Sequence, residues 1–219
     1  MKYFCMVTVF LGLLPIAISP AHALDDKEVL SMEFEDTIGE NGLERSGKTL
    51  ARPAQDAGKD CTLAITYLED HRKNRETAGG STFRIEAFPN YAPLAVQSVR
   101  SGDGVKWMKS AAESLKRYGF DVQLPQSAEP APGMLPAGIK LKLAHVWTAG
   151  FSLNSHVTIE AAFATRSGPI LRRYHGFGIK TNWWNANSEY METLNLAVAE
   201  ILDSLVRDAS ASCKAGPKT

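Results

Sequence analysis

Apolar and polar residues alternate with strand period in two long runs near the middle of the chain. In the first, Ile139, Leu141, Leu143 and Trp147 share one parity, with Lys140 and Lys142 on the other. In the second, Leu153, Val157, Ile159, Ala161 and Phe163 share one parity against Asn154, His156, Thr158 and Glu160. Each run is the signature of a half-buried strand. They flank Thr148-Ala149-Gly150-Phe151 and therefore predict an antiparallel hairpin. Equal parities on one face would set Leu143 opposite Val157 inside, and Lys140 opposite Glu160 outside. Ser167-Gly168-Pro169 then turns the chain into a third strand over 170–179.

The period changes to helical in two places. Val105, Met108, Ala111, Ala112 and Leu115 recur at helix spacing, with Asp103 or Ser101 available as N-cap and Gly119 placed as a C-cap glycine. Beyond Ser188, Tyr190, Leu194, Ala197, Val198, Ile201, Leu202 and Leu205 form a wide apolar stripe. Ahead of the first helix, Leu63, Ile65 and Tyr67 alternate with threonine and alanine as a strand, 70–80 is a charged turn region, and 82–88 and 94–99 suit short strands. Pro130, Pro132 and Pro136 make 126–138 a loop. Residues 24–59 are polar and broken by Gly39, Gly42, Gly47, Pro53 and Gly58, so they read as a loose N-terminal arm, with one short strand at most over 29–34. The order strand, helix, three-stranded meander, helix predicts an α+β domain over 60–208, an antiparallel sheet with both helices on one face. Residues 209–219 are expected to form a flexible tail.

Charge narrows the function without naming it. Lys+Arg and Asp+Glu are 24 each in 219 residues, so there is no basic excess to recruit nucleic acid. The N-terminus has Lys2, an apolar stretch from Tyr3 to Ile18, and Ala21-His22-Ala23, the arrangement of an export signal cleaved after Ala23. Thr8, Gly12 and Pro15 interrupt the apolar stretch, and no later segment is apolar enough to span a bilayer. The mature chain is thus expected in the periplasm or outside the cell. Cleavage removes Cys5 and leaves Cys61 and Cys213, a disulfide candidate in an oxidising compartment. The alternative is a buried Cys61 and a free Cys213.

Motifs for chemistry are sparse. There is no Cys-x-x-Cys, Gly-x-Ser-x-Gly, His-Glu-x-x-His or Walker-type loop, so no catalytic, cofactor-binding or metal residue is assigned. Gly176-Phe177-Gly178 reads as a bulge or twist point in a strand. His145, His156 and His175 fall on three successive strands, but the parities put His145 on the core face and His156 on the opposite one, where they cannot share a metal. Arg72, Lys73 and Arg75 suit a small anion-binding patch; the alternative is that Asp70 caps the end of the first strand while Arg72 makes an ion pair, the commoner use of such a run. Trp183 and Trp184 precede the last helix and suit either a contact with a protein, glycan or membrane interface, or a staple on the helix entry.

Thr62 to Arg72 with Gly79-Gly80, Tyr118-Gly119-Phe120, Arg173-Tyr174, and Leu194-Asn195 followed by Val198, Ile201, Leu202 and Asp203 together resemble the YajG-like bacterial envelope lipoproteins over about 61–208. That resemblance implies an α+β envelope domain without known catalytic residues. This chain departs from it in lacking the lipidated cysteine and in carrying the polar arm. The expected function is that of an exported, non-enzymatic envelope protein that binds a partner or supports an assembly. The alternative is a small-ligand or lipid-binding accessory component of an envelope transport system, with the ligand between sheet and helices. Unusually small residues lining that gap would favour the ligand, and a packed core with exposed aromatics the partner.

Overall fold

The computed structural model describes residues 29–36, 53–82, 96–125, 130–149, 151–183 and 186–216. The expected export signal, most of the strand expected over 82–88, and Trp184 lie outside them.

Among the described residues, seven strands form one sheet: β1 (Thr62–Asp70), β2 (Thr77–Thr82), β3 (Val96–Arg100), β4 (Asp121–Gln123), β5 (Leu135–Ala149), β6 (Ser152–Thr165) and β7 (Gly168–Thr181). The expected hairpin and third strand are present, with β5, β6 and β7 antiparallel in chain order. The other edge of β5 is divided. Its first half, from Leu135 to Leu141, takes β1, while Val146 and Trp147 take β2, and both pairings are parallel. The sheet is therefore mixed rather than antiparallel. The physical reason is connectivity: β1 reaches β4 and β5 only after the crossover that holds the first helix, and such crossovers join parallel strands.

Helix α1 (Gly104–Glu113) is capped by the Asp103 carboxylate, which accepts from the backbone N–H of Val105 and Lys106. A 3-10 turn over Ser114–Tyr118 follows and ends at Gly119 with φ +84°, where glycine avoids the Cβ clash of the left-handed region. Helix α2 runs over Asn187–Ala215. Both helices pack against the sheet, α1 on β1 and β5 and α2 on β5, β6 and β7. The buried Trp107 indole donates to Asn195 Oδ1 at 2.9 Å and joins them. Gly176 and Gly178 sit in unbroken register, so they form no bulge. They are bare because α2 lies directly on them: a Cβ at Gly176 would stand 1.9 Å from the Ala197 carbonyl oxygen, and one at Gly178 2.1 Å from that of Thr193.

Three expectations change. Part of the arm belongs to the core: Leu30, Met32 and Phe34 are buried, Leu30 donates to the Arg100 carbonyl, and the Phe34 N–H donates to Ser110 Oγ. Three apolar residues at period two suffice to pin a segment whose overall composition is polar. The domain thus begins before residue 60. The tail is helical as far as Ala215, with Ala209 and Ser212 buried. It is anchored by a disulfide between Cys61 and Cys213, whose Cα atoms are 6.0 Å apart, within the range such a bond needs. The expected facing of β5 also fails beyond its midpoint. A register shift between Leu141 and Leu143 interrupts the ladder to β6. An inserted residue exchanges the two faces of a strand. Odd positions up to Leu141 are buried, then Ala144, Val146 and Thr148. Leu143 is 41% exposed and faces Thr158 rather than Val157, while Lys140 does face Glu160.

Candidate functional site

The face of β5, β6 and β7 turned away from the helices carries an unusual group of rings. The bulge in β5 delivers Leu143, His145 and Trp147 to it, and β6 contributes His156 and Thr158 by simple alternation. On β7 the core glycines leave His175 and Phe177 on the outer parity. Register then aligns them, with His145 opposite His156, His156 opposite Phe177, and Thr158 between Leu143 and His175.

The rings touch in sequence. Trp147 stacks between His145 and His156, with centroids at 5.6 and 5.1 Å. His156 lies 4.9 Å from His175 and 5.0 Å from Phe177. His156 Nδ1 is hydrogen-bonded to His175 Nε2 at 2.9 Å, and His175 Nδ1 to Thr158 Oγ1 at 3.1 Å. Partial burial pushes the His156 imidazole below its ordinary pKa, and the neighbouring His175 and His145 push it further the same way, because a charged ring beside other imidazoles is both desolvated and repelled. His156 is thus held neutral where an isolated histidine begins to charge. The two-faced placement expected for His145 and His156 is corrected by the bulge. The signal available in the sequence was the conflict itself: an imidazole on the core parity in a segment, 143–148, that fits either parity.

The outer face continues toward β1 as a charged rim. Lys140 pairs with Glu69 at 3.3 Å, and Glu69 with His71 at 2.7 Å. Arg173 pairs with Glu160 at 3.2 Å. At the far end, Phe151 is 86% exposed in the β5–β6 turn and Trp183 is 73% exposed after β7. The two segments are tied together by the Asn182 N–H, which donates to the Phe151 carbonyl at 2.7 Å. Glu189 in the first turn of α2 holds this connection by accepting from the backbone N–H of Trp183 and Ala186.

Asp70 and Arg72 occupy the other side of the sheet. The Arg72 guanidinium is buried, donates to Asp70 Oδ2 at 2.6 Å and reaches Ser101 Oγ and the Gly102 carbonyl. It clamps the end of β1 to the entry of α1. Burial raises the Asp70 carboxyl, but the hydrogen bonds and charge of Arg72 outweigh it and hold the group below its usual value. Arg75 is exposed in the β1–β2 turn, and its charge also lowers the Asp70 carboxyl. A groove of about 340 Å³ lies between the N-terminal segment and the start of α2, lined by Val29, Glu33, Glu35, Met191, Glu192 and Asn195 among others. Among the described residues, no three His, Cys, Asp or Glu are grouped to hold a metal. No helix there is long and apolar enough to cross a membrane.

No family model matches the chain, and no curated protein does. Among solved structures, an uncharacterized protein aligns with a TM-score of 0.42 and 11% identity, covering 70% of this chain and 94% of its own. A protein of the DUF330 family from Xanthomonas campestris aligns with a TM-score of 0.45 and 9% identity, covering 74% of this chain and 90% of its own. Neither is named as a YajG-like lipoprotein. The described residues themselves are of α+β class, with a seven-stranded mixed sheet and two helices.

Proposed function

We propose that this chain is an exported, non-enzymatic protein of the cell envelope that acts by binding a partner. The observation carrying this reading is the outer sheet face with Leu143, His145, Trp147, His156, His175 and Phe177, over which no described element packs. Leu143, His145 and His175 are exposed, with Trp147, His156 and Phe177 half-buried beside them, and a partly exposed run of rings of this kind suits an interaction surface. Phe151 and Trp183 extend it at one end. The Cys61–Cys213 disulfide agrees with an oxidising compartment, and the N-terminal pattern and the resemblance to YajG-like envelope proteins point the same way.

The ligand alternative placed a small molecule between sheet and helices. That space is closed where α2 rests on Gly176 and Gly178, which favours the partner. The test is affinity isolation from envelope extract with the full chain and with a Trp147→Ala, Phe151→Ala double variant, analysed for proteins and lipids. A protein retained by the first and lost by the second supports the proposal. A lipid retained equally by both refutes it.

A further inference from the structure

We infer that His156 and His175 form a two-imidazole binding site for a divalent ion of tetragonal preference, Cu²⁺ or Ni²⁺. Their facing nitrogens, Nδ1 of His156 and Nε2 of His175, are 2.9 Å apart. Two nitrogens at ~2.0–2.1 Å from one metal stand ~2.9 Å apart when they subtend a right angle, and ~3.4 Å apart at the tetrahedral angle. The observed separation, that of the hydrogen bond joining the two rings, matches the cis bite of a square-planar or octahedral ion, the geometry Cu²⁺ and Ni²⁺ favour with imidazole.

Two further features prepare the pair. Thr158 Oγ1 lies 3.1 Å from His175 Nδ1. Accepting a proton there fixes the tautomer that leaves Nε2 with its lone pair, and such an outer partner orients a metal-binding imidazole. The Trp147 and Phe177 rings flank His156, with centroids at 5.1 and 5.0 Å, and hold it beside His175. Without metal a single proton lies between the two nitrogens. On binding, the ion sits ~1.4 Å to one side of that line, with both rings turned so that their lone pairs converge on it, and the proton moves from His156 Nδ1 to Nε2 of the same ring, so neutral rings bind with no net proton release. Water completes the coordination on the solvent side. His145 stands across Trp147 from this pair and is not a ligand.

The test uses the untagged full chain and Cu²⁺. Equilibrium dialysis gives stoichiometry and affinity for the wild type and for His156→Ala, His175→Ala and His145→Ala, with far-UV circular dichroism to verify folding. Because the Trp147 ring lies 5.1 Å from that of His156, bound Cu²⁺ should quench its fluorescence, and Trp147→Phe should abolish that loss without altering affinity. The expected result is one such Cu²⁺, weakened at least ~10-fold by either ligand substitution, a loss no smaller than those seen for outer-shell partners. His145→Ala should change affinity less than ~2-fold, and electron paramagnetic resonance should show two equatorial imidazole nitrogens. Unchanged affinity in both folded ligand variants, or copper bound without quenching of Trp147, overturns the inference.

Discussion

Replacing Gly176 by alanine adds one methyl group where the sheet and α2 are in direct backbone contact. The new Cβ would lie 1.9 Å from the Ala197 carbonyl oxygen, 2.8 Å from its carbon and 2.9 Å from Ile201 Cγ1. Carbon and oxygen approach comfortably only to about 3.3 Å, so either the helix or β7 must move by ~1.4 Å. The obstacle is helix backbone rather than the end of a flexible side chain, so the strain cannot be relieved by a rotamer change. Overpacking of this kind costs ~1–3 kcal/mol, and this geometry belongs at the upper end. Removing glycine from a strand interior returns ~0.5–1 kcal/mol through the unfolded chain, which leaves a net loss of about 2 kcal/mol. For a domain of this size that lowers Tm by ~4–8 °C. Urea unfolding followed by circular dichroism measures it. If Gly176→Ala proves no more costly than a neutral surface change, α2 does not rest on β7 as described. The space expected by the ligand reading would then exist after all.

Leu141→Ala should cost ~2–5 kcal/mol and Leu143→Ala less than ~1 kcal/mol, since only Leu141 is buried; equal losses in urea titrations would place the bulge elsewhere. Asp70→Asn should destabilise by ~3–5 kcal/mol at pH 7 by leaving the buried Arg72 without its counter-charge. Because the folded Asp70 carboxyl titrates below its usual value, the pair's contribution is complete above about pH 4 and is lost as pH falls through the lower folded value; a wild-type advantage that persists undiminished at pH 2 would contradict this. A chain beginning at Lys59 lacks Leu30, Met32 and Phe34 and should lose its cooperative thermal transition, and retention of a wild-type Tm would return 29–36 to the status of an arm. Thiol titration of denatured, unreduced protein should find neither Cys61 nor Cys213, and the Cys61→Ser, Cys213→Ser double variant should lose up to ~5 kcal/mol, the chain-entropy value for a sequence separation of 152 residues.

Several features were legible in the chain because they depend on neighbours in sequence. The β5–β6 hairpin followed from period-two alternation, the cap of α1 from Asp103, its end from Gly119, and the stripe on α2 from residues three and four apart. The pairing of Cys61 with Cys213 followed from arithmetic, because export would leave no other thiols. Other features belong to tertiary structure. Whether β1 pairs parallel or antiparallel with β5 depends on where a long crossover returns, and alternation within β1 is the same in either case. Leu30, Met32 and Phe34 are too few to declare a strand, and their place is decided by the hollow that α1 and β3 leave for them. The histidine cluster depended on a single inserted residue between Leu141 and Leu143. Local alternation carries no record of that insertion, because 143–148 satisfies a strand pattern on either parity. Only the ladder with β6, continued across to β7, selects the parity that buries Ala144 and Val146 and turns His145 and Trp147 toward His156 and His175.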